Sequence, residues 1–276
     1  MRFFCLFRIL IALAMMAKAV GEEIPFRYCD GLIRIEVQIS SSQNTFSFLL
    51  DSGAQASVVD ARVARQMQAR LGRSVQVATV GGFAPGFWTE LKGVRSGELL
   101  LPSRYVVLDL RALGNACTNG PVHGIIGYDF FRSRTVQIDY QRQVLSILSK
   151  MPAQAAAEPL PLKVRRDGLF VPVAVNGGDP RWVRLDTGCA SALHWFAGEA
   201  IPAKPTRRIA AALHTLSLPV AETTVVLGST RLYGVQTDLH AKKPLPGEQG
   251  LLGNGLLSRF QTVIIDPRGR KLLLGR

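Results

Sequence analysis

The sequence predicts a mainly β protein built from two similar lobes. Three observations point that way. Of 276 residues, 47% are hydrophobic and 26 are glycine, and the apolar runs are short and punctuated, which favours strands and turns over a helical bundle or disorder. Pairs of apolar runs are joined by polar turn residues, as hairpins require. Four features then recur in the same order along the chain, and two copies of this length mean two lobes, since a solenoid needs more units.

Taken in order, the chain opens with Arg2 and Arg8, an apolar run from Ile9 to Ala17, and Ala17-Lys18-Ala19. This fits a secretory signal peptide over residues 1–19, cleaved after small residues, and predicts a secreted or periplasmic protein. The apolar run is too short to span a bilayer, and no later segment is long and apolar enough. A first lobe is expected over 20–150, a linker over 151–162 with its Pro and Ala residues, and a second lobe over 163–276.

The first repeated feature is Gly31-Leu32-Ile33-Arg34-Ile35-Glu36-Val37-Gln38-Ile39, answered by Gly168-Leu169-Phe170-Val171-Pro172-Val173-Ala174-Val175. Each leads through a polar turn into the second, Phe48-Leu49-Leu50-Asp51-Ser52-Gly53-Ala54 and Trp182-Val183-Arg184-Leu185-Asp186-Thr187-Gly188-Cys189. A fainter third pairs Ser103-Arg104-Tyr105 through Asp109 with Thr230-Arg231-Leu232 through Asp238. The fourth is Gly124-Ile125-Ile126-Gly127 against Gly250-Leu251-Leu252-Gly253, each followed by a strand ending in Asp139 or Asp266. One helix is expected after the first motif, where Val59, Val63, Met67 and Leu71 share a face and Gly72 marks a stop.

An apolar strand that ends on aspartate needs a reason, because a buried carboxylate is costly unless paired or hydrogen-bonded. One Asp-Ser/Thr-Gly is weak evidence. Two copies, each ending an apolar strand at equivalent places of a repeat and each matched to an apolar-apolar-glycine segment, are strong.

On these residues the chain resembles the pepsin and retropepsin-like aspartic proteases, and within them the secreted bacterial two-lobe type. The resemblance covers nearly all of the expected mature chain, from the paired Asp51-Ser52-Gly53 and Asp186-Thr187-Gly188 to the two apolar-apolar-glycine segments. It implies two β-barrel-like lobes about a pseudo-twofold axis with an active-site cleft between them, and an endopeptidase. Asp51 and Asp186 would be catalytic, sharing one proton because two adjacent carboxylates cannot both ionise cheaply. Ser52 and Thr187 would tie the two loops together, and Gly53 and Gly188 would let backbone amides approach the carboxyls. Thr79-Val80-Gly81-Gly82-Phe83 is the candidate flap, with Gly81, Gly82 and Phe83 at its tip; no comparable glycine pair occurs around Ala210 to Leu216, so one dominant flap is expected. Ala54 and Cys189 stand where pepsin-like enzymes carry hydroxyls, which implies a less acidic pair and an optimum at mildly acidic to near-neutral pH.

Other chemistry finds less support. A formal net charge of +13, falling to +10 without Arg2, Arg8 and Lys18, is strongly basic, but the basic residues are scattered and no nucleic-acid motif occurs. Cys29, Cys117 and Cys189 make no disulfide framework, although a Cys29–Cys117 bridge is conceivable, and no metal-ligand spacing occurs. His123, His194, His214 and His240 have no matched partners and are expected to be structural; Cys189 is expected to pack as a small apolar residue. A peptide or protein substrate, no cofactor, no membrane span after signal removal and a monomer are expected. The alternative is a catalytically silent peptide-binding protein on the same fold.

Overall fold

The computed structural model describes residues 22–80, 82–149, 151, 158–198, 206–211 and 214–276. The expected signal peptide, Gly81 of the candidate flap and most of the expected linker lie outside them. The chain is mainly β, with two sheets of 15 and 8 strands among the described residues.

Both predicted hairpins form. Leu32–Ile39 pairs antiparallel with Thr45–Leu50, and Gly168–Val175 with Arg181–Asp186. The strand carrying each aspartate then runs parallel to the apolar-apolar-glycine strand, Leu49 beside Ile125 and Arg184 beside Leu251. That strand is in turn antiparallel to the one following the aspartate loop, Ile125 beside Val58 and Leu251 beside His194. A chain can enter this central position only if the loop between passes close over it. A Cβ on Gly127 would meet Ala56 and Ala54, and a Cβ on Gly253 would meet Cys189 and Ser191, so both glycines are required by close approach. Tyr128 N then donates to Ala54 O at 2.7 Å, and Asn254 N to Cys189 O at 2.8 Å.

Strand register breaks the fainter third match. Val58 pairs with Val106 and His194 with Asp238, so Asp238 occupies the place of Val106 rather than that of Asp109. Asp109 lies past its strand, exposed and bound by Arg111, whereas Asp238 is fully buried within one.

The expected helix is also shorter than the periodicity suggests, Ala61–Gln66. Val59 belongs to the preceding strand, and Leu71 is exposed. Asp60 sets the start, accepting Arg62 N at 2.9 Å as an N-cap. The stop is at Gln68, whose φ of 51° is left-handed and lets Ala69 N close back on Ala64 O.

Each strand alternates between two faces. Phe48, Leu50, Val183 and Leu185 point into one core that runs through both repeats and includes Val136 and Ile265, whose strands pair directly. Burial of each such large side chain contributes about 1.5–3 kcal/mol. Leu160–Pro161, inside the expected linker, joins the same sheet as Lys271–Gly275. The opposite face, shared with the aspartates, carries a separate apolar cluster in the first repeat, with Leu49, Val58, Val106, Leu108, Val122 and Ile125.

Candidate active site

Asp51 and Asp186 end equivalent strands and converge, each carboxyl lying against the glycine of the opposite loop. The interlocking is reciprocal. Ser52 N donates to Thr187 Oγ1 at 2.9 Å while Thr187 N donates to Ser52 Oγ at 3.1 Å. Each hydroxyl then donates across to the other strand's carbonyl, Ser52 Oγ to Leu185 O at 2.8 Å and Thr187 Oγ1 to Leu50 O at 2.9 Å. Both side chains are fully buried, so these four bonds satisfy groups that would otherwise be costly.

The glycines are needed for the same convergence. A Cβ on Gly53 would overlap the Asp186 carboxyl, and one on Gly188 would overlap that of Asp51. With hydrogen there instead, the amides close in. Gly53 N and Ala54 N donate to Asp51 Oδ1 at 2.8 and 2.9 Å, whereas Asp186 Oδ1 receives Gly188 N at 3.0 Å. Cys189 N turns to the Asp186 main-chain carbonyl.

Burial raises the proton affinity of both carboxyls, and the charge of Asp51 raises that of Asp186 further, well above the ordinary carboxylate range. Arg184 opposes this for both. Two amide donors favour the anion on Asp51, so the retained proton sits best on Asp186, although the two titrate as one system. A buried pair holding one proton has an acceptor and a donor side by side, which is what general base and general acid catalysis at one carbonyl requires.

Sequence reasoning passed over several neighbours. Asn254 is buried, donates through Nδ2 to Thr187 O, and accepts from Tyr140 OH at 2.6 Å. Arg184 is buried and bound to buried Glu248. An arginine two residues before the aspartate, between apolar Val183 and Leu185, is the available signal. Two of the four histidines do have partners: His194 Nδ1 and His240 Nε2 lie 2.7 Å apart, with Asp238 Oδ2 3.5 Å from His194 Nε2. They pair because strand register stacks their positions beside each other, which spacing along the chain does not reveal. Cys189 is half-buried by exposed area and its thiol is pushed well up by burial and the neighbouring Asp186, which suits packing and not nucleophilic attack. Cys29 and Cys117 are free thiols.

Around the site, Ser74–Thr79 and Gly82–Glu90 form the expected hairpin, with Ala84 packed into the apolar cluster beside Asp51 and Phe83 65% exposed near the tip. The second repeat has a hairpin too, pairing Thr206–Ala211 with His214–Leu227 over equally many positions. A glycine pair is therefore not what decides whether a hairpin forms there. A cavity of about 450 Å³ opens beside Glu248, among Arg165, Phe170, Arg181 and Trp182; neither carboxyl lines it. No helix among the described residues is long and apolar enough to cross a membrane.

The sequence model of a family described as aspartyl protease matches residues 35–130, which hold Asp51-Ser52-Gly53 and Gly124-Ile125-Ile126-Gly127. No curated protein matches the chain. The match supports an aspartic protease family and peptidase chemistry on the first repeat.

Proposed function

We propose that this protein is an aspartic endopeptidase of the secreted bacterial, retropepsin-like two-lobe type, with a substrate cleft between lobes related by a pseudo-twofold axis. The observation that carries the reading is the convergence of Asp51 and Asp186, each carboxyl packed against the glycine of the other loop, inside the reciprocal Ser52–Thr187 interlock. In this reading Asp51 takes a proton from a water molecule while Asp186 donates its proton to the scissile carbonyl oxygen, giving a tetrahedral diol without a covalent intermediate. Collapse of the diol breaks the C–N bond and a proton passes to the leaving amine, so one water is consumed per bond. The peptide lies extended beneath the hairpin bearing Gly82 and Phe83, bound partly by main-chain hydrogen bonds. The enzyme acts as a monomer, after loss of residues 1–19, in the periplasm or outside the cell.

The test compares wild type with Asp51→Asn and Asp186→Asn on a peptide library across pH. Each substitution is expected to lower kcat by about a thousandfold or more. Cleavage that survives either one refutes the pair, and absence of cleavage by wild type at every pH favours a peptide-binding protein.

A further inference from the structure

The side chain at position 184 is charged where its counterpart in the first repeat, Leu49, is apolar. Arg184 is 4% exposed, and all of its N–H groups have partners. Nε donates to both Glu248 oxygens at 2.9 and 3.0 Å, and Nη2 also binds Glu248. Nη1 donates to Asp167 O at 2.6 Å and to Gly53 O at 3.2 Å, and Nη2 lies 3.5 Å from Asp167 Oδ2. A Cβ on Gly168 would overlap Nη1, so the adjoining turn is shaped around the guanidinium.

The Gly53 contact joins the two repeats at an informative atom. Gly53 C=O and Ala54 N–H belong to one rigid, planar peptide unit. Arg184 grips its oxygen, and its N–H donates to Asp51 Oδ1 at 2.9 Å. A cation on the carbonyl fixes the plane and polarises the amide, which strengthens its donation to the carboxylate.

We propose that Arg184, charge-balanced by Glu248, is a positioning residue for the carboxyl pair: it orients the Gly53–Ala54 peptide that holds Asp51 and sets a fixed positive charge beside both acids. The inference rests on the peptidase reading for its kinetic part alone. The charged and titratable groups around the pair are Arg184 on the Asp186 strand, Cys189 after it, and Asp238 facing Cys189 from Thr230–His240. Arg184 itself faces Glu248, Asp167 and Asp186. Of these, Arg184 acts on both carboxyls to favour ionisation, and Glu248 lies on its far side as a counter-ion.

Two variants separate charge from geometry. Arg184→Met with Glu248→Gln removes both buried charges together, so neither is left unpaired. Arg184→Lys keeps the charge but cannot serve Glu248, Asp167 and Gly53 at once. The readouts are a carbon-13 carboxyl NMR titration, assigned with Asp51→Asn and Asp186→Asn, and the pH profile of kcat/KM on a cleaved peptide. In the double variant the pair should release its proton about one pH unit higher, with the acid limb moving alike. In Arg184→Lys the titration should stay in place while kcat falls about tenfold at unchanged KM. A double variant that titrates as wild type overturns the proposal. If it does not fold, Arg184→Lys with wild-type kcat overturns it instead. A wild-type protein that cleaves nothing defeats the peptidase reading, and the titration then decides the role of Arg184 by itself.

Discussion

Beside Asp51 the first repeat sets Leu49, Val58, Val106, Leu108 and Val122; at the matching places beside Asp186 the second repeat sets Arg184, His194, Asp238, His240 and Glu248. All ten are buried. The layer touching the carboxyls is nearly identical in the two repeats, because its bonds are made by main-chain atoms and by two hydroxyls that must reciprocate. The layer beneath is free to diverge, provided its polar groups satisfy one another. The first repeat gains apolar packing under its hairpin, whereas the second gains a charge that reaches across to Gly53. The halves of a paired site can therefore match in geometry and differ in electrostatics.

The strongest way to break the likeness is at the glycines. Gly53→Ala and Gly188→Ala each drive a methyl into the opposite carboxyl, so both should lower kcat/KM about a hundredfold or more, and by similar factors. A large difference between them would show that the two loops are not equivalent supports.

The divergent layer should fail by different physics on its two sides. Glu248→Gln takes away the buried counter-charge of Arg184, leaving only the half-exposed Asp167, and should cost about 3–5 kcal/mol in urea unfolding, relieved when Arg184→Met is added. Leu49→Ala should cost about 2–5 kcal/mol through a cavity, with no relieving partner. Additivity of the Glu248 and Arg184 substitutions would contradict a coupled pair.

The pH dependence of stability sharpens the contrast further. The carboxyl pair is held above the ordinary carboxylate range, so the folded state binds more protons than the unfolded one, and stability falls as pH rises from about 4 through the raised folded value. Asp186→Asn removes that slope. It should be more stable than wild type at pH 7, on the order of 1 kcal/mol, with the gap closing near pH 4. His240 works in the opposite sense: burial lowers its proton affinity, so the stability it contributes is lost as pH falls below about 6.5.

The smallest effect concerns the absent hydroxyls. Ala54→Ser should move the acid limb of activity down by about half a pH unit, since a further donor favours the ionised pair. Cys189→Ser should do less, because its backbone amide already turns to the Asp186 carbonyl and not to the carboxyl. An equal or larger shift at position 189 would reverse the inferred placement of the anion on Asp51.

Much of this was legible in order along the chain. Asp51-Ser52-Gly53 and Asp186-Thr187-Gly188 sit where the strands were expected to end, and both hairpins and both apolar-apolar-glycine strands form. Other features were not. The apolar period overstates the helix after Asp60, because Val59 and Leu71 fall into it without joining the helix, the first held in a strand and the second cut off by Gln68. Residue type aligns Asp238 with Asp109, while strand register puts it opposite His194.

By itself the sequence determined the strand pattern, the repeat and the pair of acids, since alternation, turn chemistry and the need for glycine under a close contact act locally. Tertiary structure decided which atoms meet. The bond from Arg184 to Gly53 spans 131 positions, and the Ser52–Thr187 interlock spans 135. Such pairings depend on register and on which face a side chain takes, and a single chain carries no local mark of either.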